Sequence, residues 1–164
     1  MKKVYNIDLS TSDIKELQRG LKEYDKWLNK KTDELCKRLA DMGAVKASLE
    51  FSRAVYTGPE DHVITVEERG KNCYAVRATG ETVLFVEFGS GLIGYGHPEP
   101  HEYGPGTYPG KGHWDDPNGW WIPRSKNGGH SLHTYGNPPN MPMYNTVKEL
   151  EQELVRVVSE VFAS

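Results

Sequence analysis

An α+β fold is predicted for this chain by three observations. Apolar residues recur at helical spacing near both ends, and short β-branched and aromatic runs separated by tight turns lie between them. A stretch from Gly89 to Asn140, rich in glycine, proline and aromatic residues, follows neither period. The 164 residues supply one real core and not two comfortable ones, so a single domain over 1–164 is expected, with 89–140 as a long arm or insertion.

Val4 to Asp8 alternates weakly and is read as a short edge strand. Ser10, Thr11 and Ser12 then offer capping oxygens before Ile14, Leu17, Leu21, Tyr24, Leu28, Leu35, Leu39 and Met42, one helix face ending at Gly43. Such a helix of about 30 residues is roughly 45 Å long, more than a compact domain of this size spans. Either it breaks, near Asn29 to Lys31, or it projects and finds a partner. Its stripe is read as packing on the protein's own sheet, with a self-association seam as the alternative. Between Ser12 and Met42 eight basic residues face seven acidic ones, a balanced and solvated face without the signature of a membrane-surface helix.

A second helical pattern runs from Ala44 to Val55. Three strand candidates follow, His62 to Glu68, Asn72 to Thr79 and Thr82 to Gly89, with separators short enough for an antiparallel meander. Leu84, Val86 and Phe88 share one face of the third. Glu87 lies with Val83 and Phe85 on the other, where Arg77 of the neighbouring strand could pair with it and where a subunit contact is a candidate. Gly89-Ser90-Gly91 ends the run abruptly.

The arm holds 12 of the 17 glycines, 8 of the 10 prolines, 5 of the 6 histidines and 3 of the 4 tryptophans. Trp114, Trp120, Trp121, Tyr95, Tyr103, Tyr108 and Tyr135 give it apolar area that a solvated linker would lack, so it is expected to order on contact. A short strand is expected around Trp120 to Pro123, paired with the sheet or with a neighbour. Asn140 then caps a C-terminal helix with Pro142 in its first turn and Met143, Val147, Leu150, Leu154, Val157 or Val158, and Val161 along one face. That helix is expected to cover one face of the sheet.

Net charge is −3 and the pI near 6.1, so no basic footprint invites the phosphate backbone of a nucleic acid. No apolar run approaches the roughly 18 residues of a membrane span, and MKKVYNIDLS lacks a signal-peptide core; the chain is expected to stay in the compartment where it is made. Cys36 and Cys73 form neither a disulfide framework nor a zinc spacing.

His97, His101, His113, His130 and His133 have spacings that metal sites use, but Pro98 and Pro100 deny the first pair a shared helix face. A metal-dependent hydrolase built on them is therefore an alternative rather than the principal reading. No nucleophile elbow or phosphate loop is present. Trp114, Trp120 and Trp121 could stack on sugar; an interface anchor is the commoner use of such a cluster. No catalytic residue, cofactor or metal is expected. The candidate subunit-interface residues are Phe85, Glu87, Phe88, Tyr95, Trp114, Trp120 and Trp121.

The opening NIDLSTSDI with its Lys/Glu-rich helix, the run LFVEFGSGLIG, the segments HPEP and GWWIP, and the closing NMPMYNTVKELE occur in an order that carries a resemblance over nearly the whole chain. The chain resembles the tail-completion or head-tail joining proteins of long-tailed bacteriophages, typified by gene product ten of phage Hong Kong 97, especially members from phages and prophages of Gram-positive bacteria. It departs from them at Asn140-Met141-Pro142-Met143, where the family often has Arg-Pro-Phe. The resemblance implies a non-enzymatic virion component made in the host cytoplasm. It would assemble with copies of itself, as a ring, at the head-proximal end of the tail, beside the tail tube or terminator and the head connector.

Overall fold

The computed structural model describes residues 10–56, 61–91, 118–122 and 131–163. In chain order these form α1 (Thr11–Arg53), β1 (Val63–Gly70), β2 (Cys73–Thr79), α2 (Val83–Phe88), β3 (Trp120–Ile122), β4 (Leu132–Thr134), β5 (Gly136–Asn137) and α3 (Pro142–Ala163). The architecture is α+β, as expected. The Val4 to Asp8 strand falls outside the described residues.

Helix α1 begins where expected: the Ser10 hydroxyl accepts the Asp13 amide at 3.3 Å. It neither breaks at Asn29 to Lys31 nor stops at Gly43, and the two expected helical stretches are one helix of 43 residues, about 65 Å long. Around the expected break the polar side chains bond back to the helix's own turns. Asn29 Nδ2 donates to the Asp25 carbonyl at 2.8 Å and Thr32 Oγ1 to the Leu28 carbonyl at 2.9 Å. Gly43 is buried at a crossing, where an added Cβ would lie 3.1 Å from Leu150 of α3 and 3.1 Å from Val76 of β2. There the missing side chain serves close packing, not chain reversal.

Strands β1 and β2 pair antiparallel, Ile64 opposite Ala78 and Val66 opposite Val76. On the face toward α1, Tyr74 Oη donates to Asp33 Oδ1 at 3.1 Å; on the other, Arg77 pairs with Glu67 at 3.1 Å rather than with Glu87. The expected third strand is α2, so the meander reduces to a hairpin. Val83, Val86 and Glu87 are buried while Leu84 is exposed, the i, i+3, i+4 pattern of a helix face.

Asp61 anchors the start of α2. It accepts the Glu81 amide at 2.6 Å, the Thr82 amide at 3.3 Å and the Thr82 hydroxyl. Burial pushes this carboxyl up, but the Thr82 hydroxyl and the backbone amides together outweigh it and hold it below its ordinary 3.8. A depressed folded value means stabilisation that is present above 3.8 and lost as pH falls through the folded value. Wild-type and Asp61→Asn proteins are thus expected to differ most in urea midpoint near neutral pH and to converge in acid. A gap that stays constant with pH would contradict the anchoring role.

The strand expected near Trp120 is present as β3, but it pairs with β4 of the same arm, Trp121 opposite His133, in a ribbon separate from the β1–β2 sheet rather than with that sheet or a neighbour. Helix α3 runs antiparallel to α1: Trp27 meets Phe162 at 5.8 Å, Arg38 pairs with Glu160, Lys46 with Glu149 and Glu50 with Asn145. It packs along α1 and against α2 rather than across the hairpin, contrary to expectation. The core lies where the end of α1, the hairpin, α2 and the start of α3 converge, with Phe51, Val83 and Val86 buried against Ile64, Ala78 and Met143. His62 stacks on Phe51 at 4.7 Å.

Candidate functional site

The six residues of α2 and the glycine turn after it form a junction into which three later parts of the chain are latched. Asn137 is buried, and its Nδ2 donates to the Phe85 carbonyl at 2.7 Å. Asn140 Oδ1 accepts the Val55 amide at 2.7 Å, its Nδ2 donates to the Val55 carbonyl at 3.2 Å, and its own amide donates to the Val86 carbonyl at 3.0 Å. One side chain thereby ties the end of α1 to α2. Asn140 consequently does not cap α3, as its position suggested. Glu87 does.

Glu87 is only 7 % exposed, and its carboxylate oxygens accept the Met143 amide at 2.9 Å and the Tyr144 amide at 3.0 Å, in the first turn of α3. These donors have no partner within their own helix, and the positive end of the helix dipole favours an anion there. Burial pushes the carboxyl up; the two amides pull it part of the way back and leave it above its ordinary value. The interface candidate Glu87 therefore has its carboxylate engaged inside the chain. Phe85 and Phe88 are half-buried beside it.

Beyond the junction, Ser90 and Gly91 bridge to Asn137 and Gly136, and the Ser90 hydroxyl donates to Asn137 Oδ1. Half-buried Trp120 lies over Gly91, where an added Cβ would come within 2.7 Å of its ring. The opposite face of the β3–β4 ribbon is an aromatic ladder. Trp121 meets His133 edge-on at 4.9 Å, and His133 meets Tyr135 edge-on at 5.0 Å. Trp121 is 64 % and Tyr135 51 % exposed, so the ladder presents apolar rings with polar tips to solvent.

The ladder joins one interface candidate, Trp121, to two residues not assigned that role, His133 and Tyr135. Alternation from β4 into Tyr135, the residue after it, carried the signal, because 133 and 135 share a face and the register sets 121 across from 133. Tyr95 and Trp114 lie outside the described residues, as do His97, His101, His113 and His130. Among the described residues no group of three His, Cys, Asp or Glu could hold a metal, and no helix is long and apolar enough to cross a membrane. A groove of about 430 Å³ lined by Lys46, Glu149, Gln152, Glu153 and Arg156 has its charges paired with one another, Lys46 with Glu149 and Arg156 with Glu153.

Comparison with protein-family models, with curated proteins and with solved structures finds no match to this chain.

Proposed function

We propose that this protein is a non-enzymatic assembly component, a tail-completion or head-tail joining protein of a long-tailed bacteriophage or prophage, acting as a ring at the head-proximal end of the tail. The observation that carries the reading is the ladder of Trp121, His133 and Tyr135, whose two outer rings stand more than half exposed. Exposed aromatic residues clustered on a paired ribbon are the composition of binding hot spots. The motifs from NIDLSTSDI to NMPMYNTVKELE supply the particular assembly. The ladder sits on the arm between Gly89 and Asn140, so neighbouring subunits, the tail terminator or the head connector would contact the chain there. The mechanism is burial of the arm's rings on assembly, with α2 and its latch holding the ribbon in place.

Native mass spectrometry with and without chelator tests this reading. A metal-free oligomer of ring size is expected on assembly with tail components. A stoichiometric metal lost to chelator would overturn it in favour of hydrolytic chemistry at the histidines. The ladder also suits a sugar ring, and a saturable quench of tryptophan fluorescence by cell-wall oligosaccharide would favour a carbohydrate-binding module instead.

A further inference from the structure

The apolar stripe at the start of α1 has a continuation that points to its occupant. Ile14, Leu17, Leu21, Tyr24 and Leu28 recur at intervals of three and four, the a and d spacing of a coiled-coil seam. In the folded chain Ile14 is 42 %, Leu21 56 % and Tyr24 49 % exposed. At about 100° per residue, positions 18 apart project in the same direction, so Leu28 is aligned with Lys46, and Ile14, two such steps away, with Glu50. Lys46 and Glu50 both contact α3, through Glu149 and Asn145. The stripe is therefore the continuation of the α1 face that α3 covers. Helix α3 runs out at Phe162, against Trp27. The preceding 16 residues of α1, about 24 Å, extend past it, and although Gly20 at the edge of this face is buried, Ile14, Leu21 and Tyr24 along it remain exposed.

We propose that a second copy of this chain occupies that face, its own α1 stem packing antiparallel to the first and taking up the line of α3 where α3 stops. Two features select a copy rather than a charged partner. Between Thr11 and Lys26 four acidic residues balance four basic ones, so the stem presents no net charge for a nucleic acid, an anionic lipid surface or a polybasic segment to recognise. The positions flanking the stripe, Asp13, Gln18, Gly20, Asp25 and Trp27, carry no basic residue, and an antiparallel pair sets the Asp13 end of one stem against the Trp27 end of the other. The two carboxylates are thereby kept apart. The contact is isologous and closes at two copies, so it is independent of the ring reading.

Sedimentation equilibrium of the full chain over a wide concentration range is the test. The wild type is expected to form a dimer. Leu21→Glu, at an exposed position, should leave helix content unchanged, and also the melting temperature read at concentrations low enough that the wild type is monomeric. It should weaken the dimer at least about 100-fold, because each copy loses one buried leucine. With Cys36 and Cys73 replaced by serine, Ile14→Cys and Leu28→Cys proteins should cross-link when mixed and not when oxidised alone. A wild type that is monomeric at every concentration, or a dimer unchanged by Leu21→Glu, overturns the proposal. So does a monomer that dimerises only after deletion of residues 1–9, which would make that segment of the same chain the occupant.

Discussion

Glu87→Ala is expected to destabilise the folded chain by about 2–4 kcal/mol, the loss of a helix cap together with two buried donors left without an acceptor. The carboxylate joins α2 to the first turn of α3 through the Met143 and Tyr144 amides, and the Met141 amide donates to the Glu87 carbonyl at 3.1 Å on the same path. Removing the side chain therefore loosens a point where α2, the end of the arm and α3 meet. Glu87→Gln keeps an acceptor oxygen and isolates the charge. The carboxyl lies above its ordinary 4.5 in the folded state, so the linked stabilisation is fully present below 4.5 and is lost as pH rises through the folded value. The wild type should thus gain on Glu87→Gln, in urea midpoint, as pH is lowered from neutral toward 4. This slope is opposite to that expected at Asp61. An Ala variant as stable as wild type would show that the carboxylate is not the cap, and a reversed slope would show that the amides outweigh burial.

The same residue marks where the sequence was legible and where it was not. The helical stripes of α1 and α3 span many turns and the 3.6-residue period is unmistakable in them, as is the alternation of β1 and β2. Val83 to Phe88 is six residues, a run in which both periods place apolar side chains on both faces, and β-branched and aromatic content then favours a strand. What decides for helix lies far away in sequence: Asp61 accepting the amides of Glu81 and Thr82, and Asn137 and Asn140 donating to the Phe85 and Val86 carbonyls. The carboxylate inside the apolar run was a correct sign of something specific, but its partners were backbone amides, which leave no trace in composition. Gly43 misled for a related reason. A glycine after an apolar stripe reads as a stop, yet Ala40, Gly43, Ala47 and Phe51 form a second stripe, of mostly small residues, on which β2 and α3 close.

Gly136→Ala should have a comparably large effect, about 3 kcal/mol or more, through close approach of two backbones rather than through any side chain. Its φ of +108° already disfavours an L residue. In addition, a Cβ there would lie 1.8 Å from the Ser90 carbonyl oxygen, 2.6 Å from the Ser90 carbonyl carbon and 2.9 Å from the Gly91 Cα. Backbone atoms cannot swing aside as the tip of a side chain can, so the two bridges between Ser90-Gly91 and Gly136-Asn137 must open. With them go the Asn137 bond to Phe85 and the seat of Trp120 on Gly91. The expected result is a lowered melting temperature together with a red-shifted tryptophan emission as the ribbon leaves α2. Gly70→Ala is the control that separates the two causes. Its φ is +149° with nothing within 4 Å of an added Cβ, so only backbone strain is at stake, about 1 kcal/mol. Equal losses at the two positions would mean that positive φ accounts for both and that the latch contributes nothing. A loss at Gly136 several times larger, with the emission shift confined to that variant, would establish the latch as what holds the aromatic ladder to the body of the fold.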